Sequence, residues 1–128
     1  MKLKDERGNF YILSVMICTT LSILSSIVIS NISSEYVRCK RMEEKLVAFN
    51  LAEAGIEKAI WNLKKGNKYN GESDTPLGKG RISVNLEEKD NRIFITSTGY
   101  IPEQKEARIK VKVIIRKENL ELELWEQE

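Results

Sequence analysis

From Asn9 to Ser34 the chain carries no charge, and only small polar side chains interrupt its apolar ones. Beyond Ser34 apolar residues recur at spacings of three and four, and beyond Gly80 they recur at every second position. These patterns predict an uncharged helix, a one-sided helix and a set of strands. As a helix, Phe10–Ile32 spans roughly 34 Å, about the hydrocarbon thickness of a bilayer. A secretory signal core is shorter, about 7–15 residues, and ends in small residues at its cut. No A-x-A pattern follows this run, so the sequence argues for a retained segment. At about 100° per residue, Ser14, Cys18, Ser22, Ser25 and Ser33 fall within one arc. Two readings stand. Small residues let neighbouring helices approach closely, or the serines bond back to carbonyls of their own helix.

The stretch "EYVRCKRMEEKLVAFNLAEAGIEKAIWNLKKG" has no proline and one internal glycine, Gly55. Cys39, Met42, Leu46, Phe49, Ala52, Ile56, Ala59 and Leu63 form the apolar stripe of a helix. Charges fill the other faces, and Gly66 is a natural stop. Nothing between Ser34 and Glu35 breaks the helix, so one helix is expected from about Phe10 to Lys65. Phe49, Ala52, Gly55 and Ile56 are expected to pack on a sheet, with Gly55 allowing close approach.

Gly66–Gly80 reads as a loop by composition. "RISVNLEE", "RIFITST", "EARIKVKVIIRK" and "LELELW" alternate as half-buried strands. "GYIPEQ" reads as a connection. Short turns predict antiparallel neighbours. Facing Ile115 with Leu120 places Val113 opposite Leu122, Val111 opposite Leu124 and Lys112 opposite Glu123. The expected class is α+β: one long N-terminal helix, with a membrane half and an amphipathic half, packed on a C-terminal antiparallel sheet of about three to four strands. The boundaries are residues 9–34 for the uncharged helix and 35–65 for the amphipathic half. Residues 66–128 supply the loop and sheet.

Composition narrows the function. A chain of 128 residues, less its apolar run, has room for one small domain. Its net charge of +2 argues against a bulk basic nucleic-acid surface. It has no histidine, hence neither the commonest general base nor the commonest metal ligand. In one helix Cys18 and Cys39 lie roughly 30 Å apart, beyond disulfide reach. Neither has a nearby base, which argues against a catalytic thiol. Glu43, Glu44, Glu53 and Glu57 lie on a solvated helix face without a pocket signature, so an enzyme is not expected. No cofactor or metal is expected either. The oxygens of "NGESDTP" could hold calcium, but that stretch lacks the twelve-residue loop pattern and reads as a solvated turn. The row Arg108, Lys110 and Lys112 could touch DNA phosphates. Pairing with Glu121 and Glu123 accounts for it more simply, and DNA binding has no further support.

Lys2, Lys4 and Arg7, offset by Asp5 and Glu6, precede the run, and Arg38, Lys40 and Arg41 follow it. By count the positive-inside rule is undecided. The short N-terminal flank is placed in the cytoplasm and the C-terminal domain outside it.

Three features in this order resemble the type IV pilin-like proteins, above all the PilX-type minor pilins and the atypical pseudopilins of type II secretion. "ERG" before the apolar run resembles the prepilin leader. "LAEAGIEKA" (Leu51–Ala59) resembles the helix motif of that subgroup. "RISVNLEEKDNRIFITSTGYIPEQKEARIKVKVIIRK" resembles its hairpin-plus-strand ending, with "STGY" at the turn into the last long strand. The resemblance implies a leader, residues 1–8, cut by a prepilin peptidase between Gly8 and Asn9, and a new N-terminus that is methylated. It implies membrane lipid around the helix before assembly, then packing through Ser14, Cys18, Ser22 and Ser25 in a filament. Implied partners are other pilin-like subunits, the peptidase and an inner-membrane assembly platform. The implied role is a minor structural subunit that starts or caps a pilus serving adhesion, motility, DNA uptake or secretion. Two positions depart from the pattern. Leu13 stands where major pilins carry a glutamate, an absence that accompanies atypical subunits, often near the tip. Asn9 stands where phenylalanine or methionine is usual. The alternative is a single-pass anchored extracytoplasmic binding module that is neither cut nor assembled.

Overall fold

The computed structural model describes the backbone of residues 2–128 and, apart from residues 2–5, 105 and 106, their side chains. Met1 and the side chains of Lys2, Lys4 and Asp5 in the expected leader therefore lie outside the described set. One helix, α1 (Lys2–Lys64), precedes five strands: β1 (Gly71–Leu77), β2 (Gly80–Lys89), β3 (Arg92–Ile101), β4 (Gln104–Arg116) and β5 (Leu122–Gln127). All neighbouring strands are antiparallel, in the order β1-β2-β3-β4-β5. The class is α+β, with five strands rather than three to four. The chain forms two compact units, Met1–Lys40 and Arg41–Glu128.

The extra strand is β1, inside the stretch read as a loop. Its Gly, Ser, Asp and Pro are turn formers, but they stand where an edge strand tolerates them. Pro76 pairs with Arg81, and the register shifts between Glu72 and Thr75. The bulge places Asp74 at φ 52°. The β2–β3 connection is Asp90–Asn91, with φ values of 51° and 63°. Two left-handed residues are what a two-residue hairpin turn requires. α1 stops at Gly66, whose φ of 71° and N–H bond to Leu63 O (3.1 Å) form a left-handed cap.

The core of the second unit lies between one face of α1 and one face of the sheet. Ala48, Leu51, Ala52, Ile56 and Ala59 meet Ile82, Val84, Ile93, Ile95, Val111, Val113 and Ile115, all buried. Each fully buried isoleucine or valine side chain contributes roughly 1.5–3 kcal/mol. Three residues of the predicted stripe lie uncovered, the first being Cys39. Met42 is 73% exposed and Leu46 60%. The covered face instead runs through Ala48, Leu51, Ala52 and Gly55, and the small Ala48, Ala52 and Gly55 let the strands come closest.

The last hairpin also departs from expectation. Ile115 pairs with Leu122, Ile114 with Leu124 and Val113 with Trp125, and the register shifts between Ile114 and Ile115. The cause is a longer turn than predicted. Leu120 N–H donates to Arg116 O (2.9 Å), and Leu120 adopts φ 53° while packing half-buried on the core. The chain needs Lys117–Glu121 to make this turn, and the bulge at Glu123 then reverses which face each later residue takes. Leu124 ends on the outer face beside Ile114. "STGY" is likewise not at a turn: it lies inside β3, and the chain reverses at Pro102–Glu103.

Candidate functional site

The first feature that bears on function is the uncharged part of α1. It is the one helix among the described residues long and apolar enough to cross a membrane, and none of its apolar window is buried. Phe10, Leu13, Ile17, Leu21, Leu24 and Val28 are all exposed. An apolar surface of this size requires lipid or other protein around it. Ser14, Ser22 and Ser25 donate to the carbonyls of Phe10 (2.9 Å), Cys18 (2.8 Å) and Leu21 (2.8 Å). The backbone thus satisfies their hydroxyls, as the plainer of the two readings anticipates. Ser14, Cys18 and Ser22, with Val15, Thr19 and Ile23, also line a shallow groove on the helix. Gly8 and Asn9 are exposed within α1, and a Cβ on Gly8 would meet nothing within 4 Å.

The second feature is a seam of small residues where α1 crosses the sheet. Ala52, Gly55 and Ile56 are buried and Phe49 is half-buried. A Cβ on Gly55 would lie 2.3 Å from Ser97 Oγ and 3.0 Å from Val84 Cγ2. The closest approach comes from a residue that pattern reading missed. A Cβ on Gly99 would lie 2.1 Å from Ala48 O and 2.6 Å from Ala52 N. The helix backbone passes directly over β3 there. The available signal was a glycine interrupting a strand-like run, which marks close approach of another backbone.

The third feature is polar. On the outer side of β1–β3, Asp74 accepts hydrogen bonds from Tyr100 Oη–H and Arg81 Nη1–H. Its own N–H donates to Ser83 Oγ (3.1 Å). The Tyr100 hydroxyl, and after it the Arg81 charge, hold the Asp74 carboxyl below its ordinary value, and Asp74 pushes Tyr100 up. A lowered carboxyl pKa stabilises the fold above the ordinary carboxylate range, and the gain disappears as pH falls through the folded-state value. Tyr100→Phe is expected to move Asp74 back toward its ordinary value, read by NMR titration of the carboxyl carbon. An unmoved titration would assign the shift to Arg81 alone.

Nearby, Lys58 pairs with Glu72 at 2.6 Å. Burial, and then the Glu72 charge, push the Tyr69 hydroxyl up to about 12. Gly71–Pro76 of "NGESDTP" lie in edge strand β1, and its two carboxylates, Glu72 and Asp74, are paired with Lys58 and Arg81. Among the described residues no cluster of three or more metal-ligating side chains occurs. In the expected basic row, Lys112 pairs with Glu128 (3.2 Å), while Arg108 lies over the Tyr100 ring (5.1 Å). Glu123 instead pairs with Arg92 (3.0 Å) and Arg116 (2.8 Å). No protein-family model matches the chain, and neither a curated protein nor a solved structure matches it.

Proposed function

We propose that this chain is a minor pilin-like structural subunit of a type IV pilus or related filament, helping to start or cap assembly. One observation supports the reading most. A single helix is uncharged and uncovered over residues 9–34, then closes the core of an antiparallel sheet from Ala48 onward. The first stretch suits lipid before assembly and neighbouring helices afterwards, since both surroundings are apolar. The second stretch carries the sheet that would face outward. Exposure of Gly8 and Asn9 supports cutting between them, because a peptidase must reach and unwind that peptide and glycine lowers the cost of leaving the helix.

In this reading the partners are other pilin-like subunits, a prepilin peptidase and an inner-membrane assembly platform. The protein is single-pass with its C-terminal domain outside the cytoplasm, and it joins a surface filament after assembly. Leu13 in place of the glutamate of major pilins supports a tip or initiating position, because such a subunit need not neutralise a neighbour's amine above it. Deleting the gene is expected to reduce surface filaments sharply, counted by electron microscopy and restored by the intact chain. Unchanged filament numbers would overturn the assignment. Leu13 and Asn9 also favour the second reading, an uncut anchored binding module, and the state of the N-terminus separates the two.

A further inference from the structure

The two edges of the sheet are built differently. β1 is bulged, carries Asp74 at φ 52° and contains Pro76, all of which discourage strand addition. β5 has no proline, and beyond its bulge Leu124–Gln127 pairs regularly with β4. Glu128 exchanges both backbone hydrogen bonds with Lys110 (2.8 and 3.1 Å). By antiparallel alternation the N–H and C=O of Trp125 and Gln127 then point away from β4. No strand among the described residues lies on that side. The side chains there are uncovered on both faces. Leu124, 49% exposed, continues the outer row Phe94–Ile114, and Trp125, 39% exposed, continues the inner row Ile95–Val113.

Charge selects the occupant. From Glu121 to Glu128 the strand and its flanks carry Glu121, Glu123, Glu126 and Glu128 and no basic residue. Glu123 is committed to Arg92 and Arg116, and Glu128 to Lys112. Among the described residues Glu121 and Glu126 have no ion-pair partner. A second copy adding its own β5 would bring glutamates against glutamates, and like charges across a strand pair are destabilising.

We propose that the free edge of β5 accepts a sixth strand from a partner protein, an extended segment with basic residues at alternate positions next to apolar ones. Its apolar residues lie beside Leu124 and Trp125, and a lysine or arginine beside Glu126, unpaired among the described residues. The chain's own β4 shows the matching chemistry on the opposite edge. There Ile114 pairs with Leu124, Val113 with Trp125 and Lys112 with Glu126, while Lys110 bonds to Glu128. Backbone bonds supply affinity and the alternating side chains supply selectivity. The inference does not depend on whether the chain enters a filament.

The test uses the full chain in non-ionic detergent micelles and a labelled synthetic peptide, RIKVKVIIRK, copying Arg108–Lys117. Saturable binding by fluorescence anisotropy is expected, with slowed hydrogen exchange at the Trp125 and Gln127 amides. A peptide with every Lys and Arg replaced by Glu is expected not to bind. Gln127→Pro removes an outward N–H at an edge where proline is tolerated, and is expected to weaken binding about tenfold or more. Glu126→Lys leaves the backbone intact and is expected to weaken binding of the basic peptide, so a misfolded proline variant cannot decide the matter alone. Equal binding of the two peptides, or undiminished binding by both variants, would overturn the proposal. So would occupation of this edge by a second copy of the chain.

Discussion

Gly99→Val is expected to separate the sheet from the helix that covers it. The first atom of any side chain at Gly99 would lie 2.1 Å from Ala48 O and 2.6 Å from Ala52 N. Both are helix backbone atoms, so no rotamer change relieves the overlap. The helix must lift off the sheet or the strand must bend away, and either opens the core around Leu51, Ile82 and Val111. Overpacking of this kind costs typically ~1–3 kcal/mol where side chains absorb it, and more where backbone must move. We expect a loss above about 3 kcal/mol, a large share of the ~5–15 kcal/mol that holds a domain together. Urea unfolding followed by circular dichroism measures it, and rapid proteolysis of the strands accompanies it. Gly55→Ala provides the contrast. Its Cβ meets the Ser97 side chain first, at 2.3 Å. Ser97 Oγ is buried without a hydrogen-bond partner among the described residues. Gly55→Ala is therefore expected to cost less, and adding Ser97→Ala is expected to recover part of that cost. Equal losses at the two glycines would show that backbone approach is not what makes Gly99 necessary.

Leu21→Arg combined with Leu24→Arg is expected to abolish stable membrane retention. Both leucines are exposed on the uncharged part of α1, 57% and 60% respectively. Each arginine near the centre of a spanning helix costs roughly 2.5–3.5 kcal/mol on the insertion scale, so the pair reverses much of the drive to insert. The nearest acidic residues, Glu6 and Glu35, lie at the flanks, leaving the new charges no partner within the run. The wild-type chain is expected in the membrane fraction after carbonate washing, and the double variant in the supernatant or degraded. A double variant retained like wild type would mean that the helix is not held by lipid.

The helix and its two regimes were legible because charge and period-3.6 patterning are local properties. The four later strands were legible for the same reason, through their alternation. β1 was not, since its composition is that of a turn and only the free edge of β2 makes it a strand. Register at β5 failed because a single left-handed leucine, Leu120, and the bulge at Glu123 decide it, and alternation reports neither. Gly55 stood out as the one glycine within the amphipathic helix, whereas Gly99 lay inside a segment read as a turn. Its role depends on which strand the helix crosses, which is a tertiary fact. The Asp74–Tyr100–Arg81 cluster joins residues 26 positions apart and left no sequence signal.

The central claim is that the apolar helix is cut on its near side and kept. Intact mass and N-terminal sequencing of the protein from native membranes test it most directly. The account predicts a chain beginning at Asn9 and carrying an added methyl group. A chain that still begins at Met1 in cells with an active prepilin peptidase would contradict it, and the anchored binding module would take its place.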